Sequence, residues 1–257
     1  MSVAPDSGGA MTGNDSYVYG ADFMAYTDRI SHASATAIIE YLLPILAPKS
    51  VVDFGCAKGT WLSVWKQAGG CEVIGLDGDY VSRSSLRIPE DAFQSRDLRQ
   101  PLALGRRFDL AQSLEVAEHL PESRAAGFVA DLVAHADVVL FAAARPGQGG
   151  EHHINEQPYE YWRALFRRYD FVAIDLLRPA LVGQHQVSSW YRYNTVLYVA
   201  RHRLAGMPAE IIAAQVPEDQ PLEDFAPLWF RARCALVRLL PITVQDAISR
   251  LTARMRK

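Results

Sequence analysis

The chain has 257 residues, 49% of them hydrophobic and 21% charged, an ordinary composition for a globular fold. A net charge of −3 provides no broad basic field, which argues against nucleic acid as a partner. Three cysteines, Cys56, Cys71 and Cys234, lack a C-x-x-C spacing, which argues against a disulfide framework and a thiolate zinc site.

Residues 1–16 are rich in Gly, Ser, Asp and Ala and read as a disordered leader. This stretch has neither the basic residues nor the apolar core of a secretory signal. No run approaches the roughly 18 apolar residues that a membrane-spanning helix needs, so the cytoplasm is the expected location. Residues 17–28 are aromatic without a clear period. A helix is expected over about 31–46, ending near Pro44 and Pro48.

Strands and helices then alternate. KSVVDF, EVIGLD, DAFQSRD, RFDLAQS and ADVVLFAAA read as strands. TWLSVWKQAGG, ESRAAGFVADLVAHA and PYEYWRALFRRYD read as helices, the last with Pro158 in its first turn, where a missing N–H costs nothing. DFVAIDLLR and SSWYRYNTVLYVAR are both expected to be extended, with no helix between them, and to pair antiparallel. Such alternation implies a mostly parallel sheet covered by helices on both faces. No internal repeat is present.

Residues 203–257 follow the last strand as an acidic, Pro-rich linker (VPEDQPLEDFAP) and a helical extension. From Leu222 onward the chain holds seven basic and three acidic residues. Helices of this kind suit packing on the domain or on a second subunit, so a homodimer through them is expected. A peripheral membrane contact or a docking face for an anionic polymer are the other readings. The expected organisation is a leader at 1–16, a main domain with an N-terminal helical cap at 17–202, and the helical extension at 203–257.

In VVDFGCAKGTW, Gly55 and Gly59 stand between a strand and a helix. Glycine lets the backbone approach a ligand closely. The helix start then points unpaired N–H groups and a positive dipole at it, which suits a carboxylate as well as a phosphate. Asp53 at the strand end would accept from an ammonium. Asp77, at the end of the second strand, can take both hydroxyls of a ribose, and Asp97, after the third, can meet an adenine amine.

This pattern resembles the first motif of class I methyltransferases, an acid followed by alternate glycines. Here it stands as Asp53, Gly55, Ala57, Gly59, with Ala57 replacing the middle glycine. The resemblance covers about 30–200. It implies an α/β, Rossmann-like class I methyltransferase sheet, mostly parallel with an antiparallel terminal hairpin, and a helical C-terminal extension. It also implies S-adenosyl-L-methionine as cofactor, held by Asp53, Gly55, Cys56, Ala57, Gly59, Trp61, Asp77, Gly78, Asp97, Leu98 and Ser113. A dinucleotide-binding enzyme would want Gly-x-Gly-x-x-Gly, which the loop lacks.

After the fourth strand, Glu115, Glu118 and His119 sit at i, i+3 and i+4, one face of a helical turn. Converging carboxylates repel unless a cation joins them, and mostly oxygen ligands point to Mg²⁺ or Mn²⁺. Glu-x-x-Glu-His resembles the cluster of metal-binding ubiquinone-biosynthesis O-methyltransferases and of small-RNA 2′-O-methyltransferases. The latter add a downstream histidine, and this chain offers His152 and His153. The expected metal set is Glu115, Glu118, His119 and His153. Metal-free enzymes of the same class carry the same motif, with the Glu as a cap and the His touching substrate.

ARPGQGGEHHINEQPYEYW, after the fifth strand, reads as a Gly-rich mobile flap that resembles segments of bacterial sugar O-methyltransferases. Adjacent His152 and His153 would point opposite ways in an extended stretch, so only one is expected to reach the reaction centre. His119, His152 and His153 are the candidates for deprotonating a hydroxyl. The expected activity is methyl transfer to a hydroxyl of a sugar or saccharide, assisted by Mg²⁺. A polysaccharide of the methylmannose type or a glycosylated natural product would fit. Left open are a metal-independent small-molecule methyltransferase, an RNA 3′-terminal 2′-O-methyltransferase and a non-catalytic cofactor-binding protein.

Overall fold

The computed structural model describes residues 10–11, 17–18 and 21–255, so most of the expected leader at 1–16 lies outside the described residues. Ala10–Met11 and Tyr17–Val18 pair as a short antiparallel ribbon. The main sheet has strands β1 (Ser50–Phe54), β2 (Glu72–Asp77), β3 (Phe93–Ser95), β4 (Leu110–Leu114), β5 (Val138–Ala142), β6 (Phe171–Ile174) and β7 (Val196–Ala200). Their order across the sheet is β3-β2-β1-β4-β5-β7-β6. The first five pair parallel, and β7 is antiparallel to both β5 and β6. This is the Rossmann-like sheet with a terminal hairpin that the strand pattern predicts.

Helices cover both faces, which is why β4, β5 and β7 are buried along their whole length and β5 and β7 read as continuous apolar runs. On one face lie α1 (Ala21–Leu46) and α2 (Thr60–Gly69). Short helices α5 (Leu177–Leu181), α6 (Ser189–Asn194) and α7 (Ala209–Ala213) complete that layer. Its core joins Ile38, Leu42, Trp65, Leu110, Leu181 and Tyr191. On the other face lie α3 (Glu122–His135) and α4 (Tyr159–Arg167), whose Phe128, Leu132 and Phe166 pack on Phe54, Val139 and Tyr198. Two more helices, α8 (Leu228–Val237) and α9 (Ile242–Met255), end the chain. Among the described residues no helix is long and apolar enough to cross a membrane.

Three elements differ from the sequence expectation. Helix α1 begins at Ala21 rather than near 31 and runs past Pro44, which sits in its last turn. A proline there removes a single hydrogen bond near the end, too little to stop a helix packed along its length on α2. The third strand is shorter than DAFQSRD, because 90–92 form a 3₁₀ turn. The segments expected to be wholly extended carry α5 and α6 between their strands. The aromatic run Trp190–Tyr193 has strand-like propensity, but tertiary contacts fix it as a helix: Tyr191 bonds Ser31 and lies edge-on to Trp61.

Phe166 is fully buried and stacks on Tyr198, ring centroids 3.9 Å apart at 8°. Replacing it by alanine opens a cavity between α4 and the sheet. Phe166→Ala is expected to lower unfolding free energy by about 3–5 kcal/mol, read by urea denaturation. A loss under about 1 kcal/mol would show that this packing is not what holds α4.

Candidate active site

Strands β1, β2 and β4 end at one edge of the sheet, where ligands of open α/β folds bind. Chain register puts Asp53 beside Gln112, and Gln112 Nε2 donates to Asp53 Oδ2 at 2.8 Å. Trp65 Nε1 in turn donates to Gln112 Oε1 at 2.8 Å, so the amide is fixed from both sides. Burial pushes the Asp53 carboxyl up to about 7; the Gln112 bond opposes this and the nearby Asp77 adds to it.

At Gly55 the backbone adopts φ +94°, and a Cβ there would stand 2.4 Å from Val116 Cγ2. Only glycine meets both demands. Ala57 follows at φ +47°, so alanine occupies a left-handed position where glycine is favoured, at a cost of about 1 kcal/mol. Its N–H donates to Asp77 Oδ2 at 2.7 Å, and Gly78 N–H donates to Oδ1 at 2.7 Å. The Tyr80 hydroxyl donates to the same Oδ1. Asp77 therefore ties the loop after β1 to the loop after β2. Helix α2 starts just beyond, with no acid in its first turn to oppose an anionic ligand.

The other half of the site follows β4. Glu115 is left-handed at φ +58°, then Ala117–His119 form a 3₁₀ turn. Backbone N–H groups of Ile154 and Asn155, from the loop between β5 and α4, both donate to the Glu118 carbonyl at 3.0 Å. This closes the loop over the turn and leaves Glu118 with no exposed surface. Neither Glu118 carboxylate oxygen meets a hydrogen-bond donor in good geometry, although the N–H groups of Glu118 and Ala144 lie near enough to favour its charged form. Burial, then Glu115, drives its carboxyl well above the usual range.

Glu118, His119 and His153 offer ligand atoms within 4.8 Å of one another. His119 Nδ1 donates to the His152 carbonyl at 3.1 Å, and His153 Nδ1 donates to Glu156 Oε1 at 2.9 Å. Each bond puts the ring lone pair on Nε2, an arrangement usual for metal-binding histidines. Burial, then His153, holds His119 well below the usual histidine range, hence neutral. Glu115 stands outside this cluster. Its oxygens accept Asn194 Nδ2 at 3.0 Å and Gln148 Nε2 at 2.6 Å. The left-handed backbone at Glu115 breaks the helical turn that would have brought it to one face with Glu118 and His119.

Both halves open into one cavity of about 450 Å³. Of the residues expected from sequence, it is lined by Asp53, Gly55, Cys56, Ala57, Trp61, Asp77, Glu115, Glu118, His119 and His153. Gly59, Gly78, Asp97, Leu98, Ser113 and His152 do not line it. Asp97 is half-exposed and paired with Arg99, Leu98 joins the core, and Ser113 Oγ donates to the Phe54 carbonyl. His152 is not extended but left-handed at φ +61°, and gives its N–H to Asp246.

Sequence reasoning missed much of the wall, including Asp28 and Ser31 from α1, Trp190 from α6, and Trp229, Phe230 and Arg233 from α8. No motif marks these residues, because they reach the cleft only through long-range packing.

A family described as "Methyltransferase domain" matches residues 26–169. No curated protein matches. Among solved structures, the sugar N-methyltransferase KedS8 from Streptoalloteichus sp ATCC 53650 superposes with a TM-score of 0.55 at 15% identity, covering 78% of this chain and 97% of that one. DesVI from Streptomyces venezuelae gives 0.41 at 22% identity, over 50% of this chain and 58% of its own, so this chain spans little more than half of DesVI. Magnesium protoporphyrin IX methyltransferase from Synechocystis PCC 6803, solved with bound SAM, gives 0.46 at 17% identity, over 66% of this chain and 78% of that one. The KedS8 likeness is one of fold.

Because the Asp53 carboxyl is raised in the folded state, folding takes up a proton between about pH 4 and 7. Its contribution to stability is present below pH 4 and is lost as pH rises through about 7. Asp53→Asn mimics the neutral form. It is expected to match the wild type in thermal denaturation only at about pH 3, below the unfolded value, and to exceed it at pH 8; a lower melting point at pH 8 would contradict the assignment.

Proposed function

Since this chain belongs to the methyltransferase domain family, we propose that it transfers a methyl group from S-adenosylmethionine to a hydroxyl of a sugar-like acceptor. The observation that carries this reading is a single cavity joining the Asp53–Asp77 loops to the cluster of buried Glu118 and half-buried His119 and His153.

Asp53 would take the cofactor's ammonium, the α2 N-terminus its carboxylate, and Asp77 its ribose diol. When bound, S-adenosylmethionine supplies the methyl group on an activated sulfonium. A carboxylate has about four acceptor sites. At Asp77, Ala57, Gly78 and Tyr80 already use three. A diol needs two, so the Tyr80 hydroxyl must give way when the ribose enters.

Glu118, His119 and His153 fit a divalent cation: one buried carboxylate without good donors and two imidazoles whose Nδ1 atoms are already held. A bound ion would supply Lewis acidity toward an acceptor oxygen. With Glu115 outside the set, the donors are two nitrogens to one carboxylate. That shifts preference from Mg²⁺ toward Mn²⁺ or another first-row ion. Glu115, held by two amides at the cleft wall, is assigned the hydroxyl proton. Trp190, Trp229 and Phe230 also line the cleft, and aromatic rings suit the C–H face of a sugar. The chain's task is then to align the oxygen and exclude water.

Release of S-adenosylhomocysteine is measured with mannose, methyl mannoside and glucose as acceptors. Chelator-stripped protein is expected to be inactive and to recover with added Mn²⁺. Glu118→Gln should lower kcat about 100-fold while calorimetry shows cofactor binding unchanged. Full activity of stripped protein would remove the cation. Cofactor binding without turnover on any of these sugars would remove the sugar acceptor.

A further inference from the structure

The two C-terminal helices carry exposed apolar side chains. Helix α9 packs beside α1. Among its described side chains, Asp246 Oδ1 accepts the His152 N–H at 2.9 Å, and Ile248 and Ser249 line the cleft. Its apolar residues Val244, Ile248 and Leu251 are 40%, 43% and 56% exposed. Their spacing of four and three places them on one stripe. A surface helix normally buries such a stripe; here Val244 and Leu251 stay exposed on either side of Ile248 at the cleft rim.

Helix α8 is apolar on two sides. Its inner side is firmly seated: Phe230 and Cys234 are buried with Tyr193 and Ala226. Gly147, at φ +79°, lies so close beneath that a Cβ would stand 1.9 Å from the Cys234 carbonyl oxygen. The outer side presents Leu228 and Leu236, and Leu239 continues it beyond the helix; they are 78%, 67% and 80% exposed. Seven of the thirteen large exposed hydrophobics among the described residues fall between 228 and 251, so the surface is concentrated rather than scattered.

Charge decides what covers it. From Leu222 onward the chain has seven basic and three acidic residues, whereas 1–221 hold 19 basic and 26 acidic. A second copy would set this excess of positive charge against its own kind. An anionic surface would meet it with the opposite sign. We infer that α8 and α9 dock this protein on an anionic lipid surface, the exposed Leu228, Leu236, Leu239 and Leu251 entering the acyl boundary and the exposed Arg238 reaching headgroups. Trp229, Ile248 and Ser249 belong both to this pair and to the cleft wall, so the cleft opens beside the lipid.

The full chain is sedimented with vesicles of phosphatidylcholine alone and of an equimolar mixture with phosphatidylglycerol. It is expected to pellet with the mixture, to stay in solution with phosphatidylcholine, and to bind less at high salt. The double variant Leu236→Asp, Leu239→Asp should partition at least about tenfold more weakly. Its circular dichroism and S-adenosylhomocysteine affinity should be unchanged. Wild-type protein that ignores the mixed vesicles overturns the inference. So does a dimer in analytical ultracentrifugation that the double variant dissolves without any vesicle binding.

Discussion

A carboxylate with no exposed surface and no well-placed donor is costly, by several kcal/mol unless it is protonated or paired with a cation. Glu118 is such a group. The fold does not leave it buried by accident. Backbone N–H groups of Ile154 and Asn155 clamp the turn that carries it. The loop supplying them is pinned by Glu156, which accepts the N–H groups of Gly147 and Gly149. Arg145, in the same loop, forms a two-pronged pair with Asp224. The C-terminal helices press on it through Asp246 and Arg233. The loop, the extension and the carboxylate thus form one assembly, and the cation proposed for Glu118 would offset the cost of burying it.

The same logic extends across the cleft. Asp53, Asp77, Glu115 and Glu118 line one cavity, and burial raises all four carboxyls. Lining arginines and lysines amount to Lys58 and Arg233. Ligands that carry positive charge into such a space relieve mutual repulsion, and an ammonium at one end with a metal ion at the other would do so. Parallel register makes the two ends adjacent, since β1 carries Asp53 and its neighbour β4 runs directly into Glu115.

Strands β1, β2 and β5 were legible in the sequence because a parallel sheet buried on both faces leaves β-branched runs, and β1 and β2 stop at the cleft edge. Asp53, Gly55 and Asp77 were legible for the same reason, being fixed by position at strand ends. What failed was local periodicity applied to loops. Glu115 was read as one face of a helical turn, but its left-handed backbone sends it to Asn194 and Gln148. The glycines of the loop after β5 were read as a mobile flap; at Gly147 the need is instead for space beneath α8. His152 and His153 were read as an extended pair, but the left-handed turn at His152 puts its carbonyl on His119 and its N–H on Asp246. Helix α6 was hidden because its aromatic residues carry strand propensity and only contacts with α1 and α2 override it.

The central claim is that one cleft holds the methyl donor on Asp53 and Asp77 and a cation on Glu118, His119 and His153. Anomalous diffraction from crystals grown with S-adenosylhomocysteine and Mn²⁺ tests it most directly. The account predicts an anomalous peak within ligand distance of all three side chains, with the adenosyl group on the Asp77 side. The cofactor bound there with no peak between Glu118 and His153, and Glu118 still without a partner, would contradict it.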